Sequence, residues 1–163
     1  MFWKRRIKVN PKELAETLLA ELLRGSLCDI PPGVHVDPSA MPAIETKKRI
    51  YQFASILLAV LNEIESKPEF TLVRKHLDEQ ILPSPSAQIK TNPEVLRQAM
   101  LDISELLTPQ ERFLPISWAR RWLSTVNVEE TNPARLDMFA LIWMDYYVMV
   151  AKTLKKFSPE VSG

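Results

Sequence analysis

The chain has 163 residues, 46% of them hydrophobic and 25% charged, the composition of a soluble globular protein. Chains of this length bury roughly 70% of the surface their unfolded form exposes, so a full core is expected. A net charge of +1 excludes a global field for nucleic acid, and one cysteine, Cys28, excludes an intrachain disulfide.

The first nine residues hold Phe2, Trp3, Lys4, Arg5, Arg6 and Lys8, two aromatics and four cations with no acid. The remaining residues carry 17 cations against 20 acids. No apolar run follows the basic start, so a secretory signal is not expected. Residues 11–24 are predicted to form the first helix, opened by Asn10-Pro11. The asparagine side chain can accept from first-turn amides, and a proline loses nothing at the first helical position. Leu14, Leu18 and Leu22 form one row, Ala15, Leu19 and Leu23 a second, and Gly25 is the predicted stop.

Residues 26–43 hold Pro31, Pro32, Pro38 and Pro42, a long connector for a compact domain. Cys28, Ile30, Val34, Val36 and Met41 predict that it drapes over the core. A second helix is predicted over 45–65 and a third over 68–82, with Phe70, Val73, Leu77 and Ile81 inward. The third helix also offers the wet-face pairs Arg74–Asp78 and Lys75–Glu79. Residues 83–92 form a Pro/Ser loop. Asn92-Pro93 opens a fourth helix over 93–107, with Leu96, Met100, Ile103 and Leu107 inside. Thr108-Pro109-Gln110-Glu111 reads as a capping box. A fifth helix is predicted over 116–126. Asn132-Pro133 opens the last one, over 133–157. Its first face is Leu136, Phe139, Ala140, Trp143, Tyr147, Val150 and Leu154, and its second Met138, Ile142 and Met149. The expected architecture is all-α, one domain over residues 1–163. Five to six main helices pack around the apolar C-terminal helix.

The chemical inventory is thin. His35, His76 and Cys28 cannot make a Cys/His zinc tetrad, and three glycines cannot build a phosphate-cradling loop. His76 and Glu79 share a helical face as a solvated pair, not a metal motif. No nucleophile elbow is present, and the adjacent acids Asp78-Glu79 and Glu129-Glu130 diverge. Neither a cofactor nor a metal is expected, and no catalytic residue is proposed. Trp118-Ala119-Arg120-Arg121-Trp122 interleaves aromatics with arginines. Trp118 and Trp122, four residues apart, read as core anchors, with the arginines free to meet Glu129, Glu130 or Asp145. Nucleic-acid binding is not expected.

Two places carry functional expectations. Asp145 sits in the most apolar helix without a cationic neighbour on its own helix. An unpaired carboxylate must reach solvent, meet an arginine or line a polar pocket. In the pocket case Trp143, Tyr146 and Tyr147 would be its walls. The N-terminal residues Phe2, Trp3, Lys4, Arg5, Arg6 and Lys8 could dock on an acidic protein partner, lie on an anionic membrane surface or fold back on the core. The leading expectation is a non-enzymatic interaction or scaffold module that binds a protein partner. The alternatives are a small-ligand-binding or regulatory helical domain at Asp145 and a peripheral membrane-surface protein. A cytoplasmic location and homo-oligomers are compatible with this composition.

Overall fold

Each of the three Asn-Pro pairs begins a helix, and in each the asparagine carbonyl oxygen accepts from the first turn. Asn10 accepts from the amides of Lys12 at 2.9 Å and Glu13 at 3.3 Å. Asn92 accepts from Glu94 at 3.2 Å and Asn132 from Ala134 at 2.9 Å. The computed structural model describes residues 5–22, 27–80, 92–108 and 114–160. Within them lie six helices: α1 (Pro11–Leu22), α2 (Met41–Ser66), α3 (Phe70–Gln80), α4 (Pro93–Leu107), α5 (Pro115–Ser124) and α6 (Pro133–Leu154). The fold is an all-α bundle. Gly25, Ile81, most of the Pro/Ser loop and the turn expected after Thr108 lie outside the described residues. Thr108 itself closes α4, its hydroxyl donating to the Ser104 carbonyl at 2.8 Å.

The two long helices form the spine. From Ile50 to Val60 only Leu58 escapes full burial, because α1, α3, α4 and α6 all pack on α2. Helix α6 packs on α2, α4 and α5. Between them lies an aromatic cluster. Trp122 meets Phe139 edge-on at 5.1 Å, and Tyr51 meets Trp143 edge-on at 5.9 Å. Such edge-to-face pairs match ring quadrupoles as well as burying area.

Helix α3 begins at Phe70, not at residue 68, and α5 spans Pro115–Ser124, not 116–126; four larger expectations are also corrected. Helix α2 begins at Met41, not at residue 45. Asp37 accepts from the Ser39 amide and opens a 3-10 turn, Pro38–Ala40, that runs straight into a helix with Pro42 in its first turn. Helix α6 ends at Leu154, and Phe157–Pro159 is a strand, β2. Pro159 cannot donate to a continuing helix and keeps Ser158 extended. β2 pairs in parallel with β1 (Ile7–Val9), with Ile7 opposite Phe157 and Val9 opposite Pro159. The second predicted face of α6 is not inside: Met138 and Met149 are exposed, and Tyr146 is buried where Tyr147 was expected. In α4 the inward row is Ala99, Ile103 and Leu106, which leaves Leu96, Met100 and Leu107 half-buried.

The connector does drape. Cys28 and Pro31 are buried, and Ile30, Val34 and Val36 rest on the core. It is fastened to α2 by Lys48, whose ammonium holds Asp29 at 2.7 Å and Glu45 at 3.1 Å, and by Gln52, which donates to the Leu27 carbonyl. Burial pushes the Cys28 thiol up to about 12, which removes it as a nucleophile.

Candidate functional site

Three helical rows converge on one groove. Ala43, Thr46, Lys47 and Ile50 fall at i, i+3, i+4 and i+7 on α2, so they share a face. On α4 the facing row is Glu94, Val95, Gln98, Asp102 and Glu105. On α5 and just after it the row is Trp118, Arg121, Trp122 and Thr125. These rows line two adjoining open cavities. The larger, of about 750 Å³, has Pro42, Ala43, Ile50, Val95 and Val126 as apolar wall. The smaller, of about 370 Å³, is floored by Trp118 and Trp122 and rimmed by Asp102, Glu105 and Arg121. Lys47, Tyr51, Gln98 and Thr125 line both. A concave space that sets apolar wall beside convergent polar groups can hold a small molecule with both kinds of surface.

The polar groups are connected. The Tyr51 hydroxyl donates to Asp102 Oδ2, and Gln98 donates to Asp102 Oδ1 at 3.0 Å. The Trp118 indole donates to the Asp102 carbonyl at 2.9 Å. Arg121 forks onto Glu105 at 2.9 and 3.3 Å and stands 3.8 Å from Asp102. Burial, then the bond to Asp102, push the Tyr51 phenol well above its ordinary value, so it stays a donor.

Lys47 has a different environment. Its amine donates to the Trp122 carbonyl at 3.2 Å and to the Thr125 hydroxyl, and lies 4.7 Å from the Trp122 ring centre and 5.3 Å from that of Tyr51. No carboxylate among the described residues lies within ion-pair distance of it. Burial lowers its pKa to about 8, the Asp102 charge opposing that shift and Arg121 adding to it.

The residues singled out from the sequence lie elsewhere. Asp145 is exposed on α6, so solvent satisfies it, and neither cavity of the groove touches it. Trp143 and Tyr146 belong to the core, and the Tyr147 hydroxyl accepts from Asn62 at 2.6 Å. Of the N-terminal set, Phe2, Trp3 and Lys4 lie outside the described residues. Arg5 and Lys8 are exposed, and Arg6 holds the buried Glu63 at 3.0 Å. Arg121 pairs with Glu105, not with Glu129, Glu130 or Asp145. Glu130 meets Arg135 instead, at 3.6 Å. His76 and Glu79 do pair, at 3.4 Å. The described residues hold no group of three or more potential metal ligands and no helix long and apolar enough to cross a membrane.

The groove leaves a faint mark in the sequence. Thr46-Lys47-Lys48-Arg49 interrupts an otherwise apolar helix. Ile44, Lys48, Tyr51 and Ser55 form one buried row, which forces Lys48 inside. Nothing local says that Lys47 faces a cavity, because that depends on where α4 and α5 dock. No protein-family model, curated protein or solved structure matches the chain.

Proposed function

We propose that this chain is a ligand-binding helical domain. Its site is the groove between α2, α4 and α5, and its ligand is a small molecule with an apolar body and one polar head. The observation that carries this reading is Lys47: a half-buried amine with no carboxylate of the described residues in ion-pair range, on the wall shared by both cavities. Two hydrogen bonds and two ring faces hold this amine in place at the mouth of both cavities, where a polar head could reach it. Ile50, Val95 and Val126 offer the apolar body a matching wall. The small-ligand expectation thus moves from Asp145 to Lys47.

The test is amide-resolved NMR with a set of small aromatic and aliphatic molecules, each bearing one polar group. Shifts confined to residues 42–51, 92–105 and 118–126 are expected. They should vanish in Val95→Trp, whose indole fills the larger cavity. Shifts scattered over the surface, or none, would refute the groove as a site.

The scaffold reading keeps one specific support: Arg5 and Lys8 are exposed and outside any ion pair among the described residues. Deleting residues 1–8 cannot test it cleanly, because Arg6 and the first strand are structural. Arg5→Glu with Lys8→Glu can. Partner capture or vesicle binding should fall while the melting temperature holds.

A further inference from the structure

We infer that Lys47 is a Schiff-base-forming lysine, and that the groove takes small aldehydes or ketones with an apolar body. This inference rests on the groove being a binding site.

Lys47 and Lys48 are both removed from bulk water, yet Lys48 is neutralised by Asp29 and Glu45 while Lys47 has no carboxylate in ion-pair range. A paired lysine is held as ammonium. An unpaired, desolvated one is poised to release its proton and act as a nucleophile. The charged groups around Lys47 are spoken for. On α4, Asp102 accepts from Tyr51 and Gln98, and Glu105 is forked by Arg121 of α5.

A neutral amine has two N–H donors and one lone pair. The Trp122 carbonyl and the Thr125 hydroxyl take two donors. The lone pair is then left for an electrophile. The lowered pKa, about 8, leaves roughly a tenth of the amine neutral at pH 7.

The chemistry balances without a further reagent. The amine nitrogen forms a bond to the carbonyl carbon, and the carbonyl π pair moves to oxygen, which takes up a proton. The nitrogen proton is lost. The carbinolamine then expels its hydroxyl as water with one more proton, and the nitrogen lone pair closes the C=N bond. The iminium can lose its proton to leave a neutral imine.

The experiment treats the full chain with benzaldehyde and sodium cyanoborohydride at pH 8 and maps the secondary amines by mass spectrometry of peptides. The reductant delivers hydride to the imine carbon, which fixes the label. Lys47 should be benzylated at least ten-fold faster than Lys48 and than the average of the exposed lysines. Equal rates would overturn the inference. Because the comparison is internal to the unmodified protein, it does not depend on a variant folding. A parallel arm uses benzyl alcohol, which has the same body and no carbonyl. If benzyl alcohol shifts the groove amides but Lys47 is labelled no faster than its neighbours, the Schiff base is refuted and the binding site stands. If neither compound shifts them, both fall.

Discussion

Lys47 and Lys48 are consecutive in sequence and opposite in electrostatic circumstance: Lys48 clamps two carboxylates, at 2.7 and 3.1 Å, while Lys47 makes hydrogen bonds only to a backbone carbonyl and a threonine hydroxyl. A one-residue step rotates the side chain by about 100° around the helix. That is enough to carry it from the underside of the connector to the groove.

The first prediction follows from that environment and concerns pH. The folded-state pKa of Lys47, about 8, lies below the ordinary value of 10.5. Between these values the unfolded chain binds more protons than the native one, so stability rises with pH across that window. Cys28, raised from 9.0 to about 12, acts the other way above pH 9. The two are separated by comparison with Lys47→Met, which keeps the stem and removes the titration. The stability of the native chain relative to this variant should climb from pH 8 to 10.5 and stay flat below pH 7. A flat difference throughout would show that the amine is not desolvated.

The second concerns Arg6 and Glu63. The Glu63 side chain is only 9% exposed, and Arg6 meets it at 3.0 Å from outside the helical bundle. Arg6→Met leaves that carboxylate without its cation. A loss of about 1–3 kcal/mol is expected, a fall in melting temperature of about 2–4 °C per kcal/mol for a chain of this size. Adding Glu63→Met should restore part of it. Calorimetry of the single and double variants decides, and an unchanged Arg6→Met midpoint would contradict the pair.

The third concerns Gly33, whose φ of +91° is in the left-handed region and whose missing Cβ would lie 3.0 Å from Arg135 Nε. Arg135 holds Glu130 at 3.6 Å, and Glu130 in turn accepts from the Thr131 and Asn132 amides at 3.1 and 2.9 Å. Gly33→Ala therefore strains the connector and pushes on the residue that steadies the entry to α6. About 1–3 kcal/mol should be lost in urea unfolding.

The fourth concerns the helix starts. Asn132→Ala should cost about 1 kcal/mol through the lost cap, whereas Asn132→Asp keeps the acceptor and should cost little. Asn10→Ala should cost at least as much as Asn132→Ala, since Asn10 serves two amides. Equal stability of the alanine and aspartate variants would remove the caps from the fold's supports.

Much of this fold could be read from the sequence, because helix identity is written locally. The Asn-Pro caps, the Leu14–Leu18 row and the Phe70–Val73–Leu77 row each depend on neighbours within two turns. The misses depend on distant partners. Ile7 extends because Phe157 lies beside it. Met138 stays outside because α5 and α2 cover the other side of α6. The groove is of the same kind: it exists only where three helices stop short of one another. The Arg6–Glu63 pair is of the same kind, since no local signal announces a glutamate so far along the chain.

A short parallel ribbon joins β1 to β2. Its two strands stand at opposite ends of the described chain, so their pairing closes a loop that contains every helix. Closing so long a loop yields its few hydrogen bonds only after the conformational entropy of the intervening chain has been removed. The ribbon is therefore placed to form last. In refolding followed by pulsed amide exchange, Ile7 and Glu160, whose N–H groups bind Lys156 and Val9 across the ribbon, should gain protection after the helix amides.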